Sequence, residues 1–239
     1  MMHFYVRATV VLSISGAILS HKSIDPSPIF GQTLSSREFS DVANEQPPYV
    51  SYTYHSGDEL LLNASRVLDS SIQWACMHLK SYVSANDFDY TRFDQQPQKV
   101  SEVLFNAWRL AEKVPTLEKA TIDQFVLVVR LYQFMVGSTE SIKIHKRAKS
   151  ASQDIIIPTI ILNVRAFMAH NMCGIGRATS ADFFWDISVL TSELEMLESE
   201  FQGLSDASLG TCNCFGVYAA QVRDTLDGLR RRVSLSDGT

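Results

Sequence analysis

The amino-acid sequence predicts an all-α protein, a helical bundle, and three observations predict it. Five or six segments repeat apolar residues at three- and four-residue steps, the period of a helix with one buried face. No two alternating segments joined by a tight turn read as a strand hairpin. The chain has 239 residues, 46% hydrophobic and 20% charged, which is globular material for about one domain. The bundle is expected over residues 56–234. A signal peptide at 1–20 and a flexible segment at 21–55 precede it, and a polar tail at 235–239 follows.

Arg7 supplies the positive start of a secretory signal, and Ala8 to Leu19 is an apolar stretch too short to span a bilayer. Small residues follow at Ser15, Gly16 and Ala17, and cleavage after Ser20 would leave His21 as the new terminus. A buried N-terminal helix or strand is the alternative. From His21 to His55 the chain is rich in Ser, Pro, Gln and Asp without an apolar period, which reads as a flexible lead-in.

Ser56-Gly57-Asp58-Glu59 is a capping box. Leu61, Ala64, Leu68, Ile72, Ala75, Leu79 and Val83 then mark one face of a helix of about 28 residues. A polar link with Phe88 and Phe93 leads to Pro97, placed to open the next helix, which runs to about Lys113. Pro115 breaks it. A deeply buried helix follows from Thr116, with Gly137-Ser138 as its stop. The basic stretch from Ile142 to Ser152 reads as a solvated connection, and a patch for a polyanion is the weaker alternative.

From Asp154 to Met172 the apolar residues go nearly all round, although Ile155-Ile156-Ile157 also fits a strand. A near-heptad helix runs from Thr179 or Ser180 to Leu204, with Glu193, Glu195, Glu198 and Glu200 on its outer face. The last helix starts near Leu209 and ends on Arg230, Arg231 and Arg232, where the helix dipole favours cations.

Link lengths bear on topology. Between the four longest helices they are about 30, about 17 and about 35 residues, and only parallel neighbours need long crossovers. Long, shorter, long predicts four helices in up-up-down-down order, with extra helices in the two long crossovers. The rival is a plain up-and-down bundle of six helices.

The four cysteines, Cys76, Cys173, Cys212 and Cys214, suit two disulfides in an oxidising compartment. Three connectivities are open. The up-up-down-down order brings the start of the last helix to the end of the first, so Cys76 is expected to pair with Cys214 or Cys212, and Cys173 to lie at the opposite end. Asn63-Ala64-Ser65 is a glycosylation sequon.

Function classes are narrowed mainly by what is missing. The six histidines lack ligand spacing, so no metal site is expected, and no cofactor. No nucleophile elbow, zinc helix, phosphate loop or paired-carboxylate pattern is present, so no catalytic residue is assigned and no enzyme is expected. A formal charge of −5 argues against nucleic acid as a partner. No apolar run was found that reaches the ~18 residues of a membrane span, so no stable membrane insertion is expected.

Some residues stand in a familiar order. Leu79-Lys80-Ser81-Tyr82-Val83 is followed by Phe88, Phe93, Pro97 and Trp108, and the last helix carries Tyr218, Arg223, Asp227, Arg230, Arg231 and Arg232. In these residues the chain resembles the long-chain cytokines of the ciliary neurotrophic factor and cardiotrophin-like cytokine group. It departs from them in lacking their Phe-x-x-Lys around 211–217, and in placing a heptad helix in a link that is usually irregular there. The resemblance implies a secreted signalling ligand with a cell-surface receptor as partner, and Arg223, Asp227 and Arg230 on the receptor-facing edge. A solvated helix end with an Arg223–Asp227 pair is the structural alternative for those residues. Two other functions fit the same features. One is a secreted helical effector or interaction protein of a parasite or microbe. The other is a lipid carrier lined by Phe125, Phe134, Phe167, Met168, Phe183 and Phe184, for which ordinary core packing is the better account.

Overall fold

The computed structural model describes residues 57–112, 119–148, 153–175, 187–204 and 207–236. The expected signal peptide and flexible segment, Ser56 of the expected capping box, Phe183, Phe184 and residues 237–239 lie outside them. Among the described residues the protein is all-helical: α1 (Gly57–Lys80), α2 (Tyr90–Gln95), α3 (Pro97–Ala111), α4 (Lys119–Ala148), α5 (Gln153–Gly174), α6 (Ile187–Gln202) and α7 (Leu209–Ser236). The only β-type pairing among them is an isolated antiparallel bridge between Val83 and Phe88.

Several boundaries differ from expectation. α1 stops at Lys80 rather than near residue 85. There Ser81 Oγ donates to the His78 carbonyl at 2.7 Å, and the chain turns so that Asp89 N donates back to Tyr82 O at 2.8 Å. The polar link expected before Pro97 contains α2, started by Asp89 accepting from Arg92 N at 2.9 Å. α4 continues past Gly137-Ser138 to Ala148. Thr139 and Ile142 are buried beyond that point, so packing carries the helix through a weak former. The basic stretch is therefore helical up to Ala148, and four residues separate α4 from α5 instead of about seventeen. Ile155 to Ile157 are helical, and Pro158 sits exposed within the second turn of α5, where only the Asp154 carbonyl loses its partner. α7 runs to Ser236, into the segment expected as tail.

Side-chain contacts give the running directions pair by pair. Tyr82 meets Gln96 at 3.3 Å and Lys99 lies over Trp74, so α3 runs back along α1. Phe125 stacks on Trp108, Tyr132 Oη donates to Pro97 O at 3.0 Å and Lys143 reaches Asp94 at 2.5 Å, so α4 runs against α3. Phe134 stacks on Phe167 and Gln153 donates to His145 O, which makes α5 antiparallel to α4. Arg230–Thr191, Arg223–Glu198 and Phe215–Phe201 set α7 against α6. Asn163–Gln221 and His170–Arg232 set α7 alongside α5, in the same direction.

The core has two parts that share α5. Ile156, Ile160, Val164 and Met168 pack with α1, α3 and α4 around Phe88, Phe93 and Phe125. Ile155, Leu162 and Ala166, on the other side, pack with Leu190, Leu194 and Leu197 of α6 and with Phe215, Val222 and Leu226 of α7. A helix buried on two sides must be apolar nearly all round. α5 is thus long and apolar enough, over Gln153–Cys173, to cross a membrane by length and composition, contrary to the sequence-based expectation. With 72% of that window buried inside the fold, it serves here as the central core helix.

Candidate functional site

The α6–α7 seam holds the three residues expected on a receptor-facing edge. Arg223 forms an ion pair with Glu198 of α6 and is 55% exposed. Arg230 donates to Asp227 Oδ1 at 2.8 Å and to Thr191 Oγ1 at 2.8 Å. The Arg223–Asp227 pair considered from spacing is therefore replaced by two contacts between helices, Arg223–Glu198 and Arg230–Thr191, and one i,i+3 pair. Exposed pairs of this kind contribute about 0.2–1 kcal/mol, and Arg230 and Asp227 remain 48% and 58% exposed.

The outer face of α6 is less uniformly acidic than expected. Glu195 and Glu200 are exposed, whereas Glu198 turns to Arg223 and Glu193 to Arg165 of α5. Arg165 is 2% exposed and also donates to the Ala85 carbonyl. It ties α5, α6 and the turn after α1 together. Sequence reading passed over it because one Arg in an apolar helix carries no periodic signal. Its hint was the charge itself, since an Arg surrounded by core residues requires a partner.

A second constellation runs from the end of α1 into the turn that follows it. Trp74, His78 and Tyr82 repeat at four-residue steps, so they stack one above the other. Trp74 and His78 lie parallel with centroids 4.7 Å apart, and His78 and Tyr82 meet edge-on at 5.2 Å. Tyr82 Oη is 2.9 Å from His78 Nε2. Lys99 of α3 lies over the Trp74 ring, and Arg92 of α2 over the Tyr82 ring. Burial, with Lys99 and then Arg92 adding to it, pushes the His78 pKa down to about 4. Burial also raises the Tyr82 hydroxyl.

On α5, burial and then Arg232 and Arg231 push His170 down to about 4 as well. Its ring edge lies against Gly228 of α7, where an added Cβ would stand 3.0 Å from Nε2.

All four cysteines lie among the described residues, and no disulfide joins them. The expected Cys76–Cys214 bond is not formed. Cys76 is buried in the core that α1 shares with α3 and α4, and Cys214, half-buried on α7, packs against the margin of the same core. Asn63 is half-buried within α1 rather than in a loop. Among the described residues no group of three His, Cys, Asp or Glu could hold a metal ion. Phe125 and Met168 are buried, and Phe134 and Phe167 stack on each other at 4.1 Å. Elsewhere along the chain Tyr82 meets Phe93 at 5.3 Å, Phe88 meets Phe93 at 5.8 Å, and Trp108 stacks on Phe125. No family model, no curated protein and no solved structure matches the chain.

Proposed function

We propose that this protein is a secreted, cytokine-like signalling ligand that binds a cell-surface receptor through the exposed edge of α7, at Arg223, Asp227 and Arg230. Support comes from the running directions of the four longest helices. The contacts that run α3 back along α1, α4 against α3, α5 against α4 and α7 along α5 support the reading, as an up-up-down-down order of that class would require. The three edge residues keep 48–58% of their side chains exposed, and an Arg at such an edge is a common interface anchor. The reading needs no cofactor and no metal, and it does not involve nucleic acid or membrane insertion.

A second reading is a secreted helical effector or interaction protein. The observation that favours it is the packing of α3 and α6 as full members of the fold. α1 packs on α3 and α4, and α7 on α5 and α6, so six helices alternate along the chain.

The test is cell binding by the purified secreted protein, followed by flow cytometry. The pair of substitutions Arg223→Glu and Arg230→Glu should abolish saturable binding while far-UV circular dichroism stays unchanged. Binding retained by that variant removes the edge from the site. Failure of the unaltered protein to bind any responsive cell type refutes the ligand reading, and failure to appear in the medium of expressing cells refutes secretion.

A further inference from the structure

We draw no further inference here: the strongest candidate, the outward apolar face of the first half of α7 where Leu209 and Val217 are 78% and 55% exposed, carries nothing because nothing among the described residues shows what covers it.

Discussion

Acidification should destabilise the fold, and His78 is the group through which most of the effect is expected. In the unfolded chain its imidazole titrates near the ordinary 6.5, whereas in the folded protein burial and the neighbouring Lys99 and Arg92 hold it near 4. Between those values the unfolded chain takes up a proton that the folded chain refuses. Stability is therefore full above pH 6.5, falls as the pH drops towards 4, and levels out below that. The full gap corresponds to about 3 kcal/mol, of which roughly half is lost between pH 7 and pH 5. Against the 5–15 kcal/mol of a typical domain that is a visible fraction. Urea unfolding followed by circular dichroism at pH 7, 6 and 5 reads it directly as a falling midpoint at constant slope. His78→Gln keeps a polar group near Tyr82 but has nothing to titrate, so its midpoint should fall much less over the same range. His170 shifts in the same direction, with a smaller expected effect because its ring is only half-buried. A His78→Gln variant that loses stability with pH as steeply as the parent would refute the reasoning.

Two further predictions follow from the α5 interfaces. Glu193→Ala leaves the buried Arg165 guanidinium without its carboxylate and should cost about 2–4 kcal/mol in urea unfolding, the lower part of the range for a broken buried pair because Glu193 is 30% exposed. Combining Glu193→Ala with Arg165→Met removes the stranded charge and should recover at least half of that loss; a double variant no more stable than the single one would show that the charge is not the cause. At Gly228, Val should lower the melting temperature through a clash with the His170 ring, at a cost of about 1–3 kcal/mol. Gly228→Ala should fall much closer to the parent, because about 1 kcal/mol of helix propensity offsets the tighter contact, and equal melting of the two variants would exclude a clash.

Much of the architecture was legible because helix burial writes a 3.6-residue period into the chain. Leu68, Ile72, Ala75 and Leu79 were read as the buried face of the first helix, and all are buried. Leu190, Leu194 and Leu197 behave likewise in the near-heptad helix. Helix ends were less legible. Gly137-Ser138 has the composition of a stop, yet burial of Ser138, Thr139 and Ile142 against neighbours outweighs the local preference. That single continuation shortened the expected seventeen-residue link to four. At the candidate sites, sequence reading placed Arg223, Asp227 and Arg230 on one helix edge and weighed an Arg223–Asp227 pair, whereas Asp227 pairs with Arg230. The partners that structure supplies, Glu198 and Thr191, belong to another helix and leave no trace in local spacing.

The sequence by itself determined the helical class, the buried stripe of each helix and the near-all-round apolarity of α5, because these depend on the order of residues within one segment. Tertiary structure alone decided what met what. It put Lys99 and Arg92 over the α1 rings, turned Glu193 to Arg165, set the His170 ring against Gly228 and left Cys76 and Cys214 without a bond between them. Such contacts join residues that are distant along the chain. Their geometry follows from how the helices pack, which no single segment encodes.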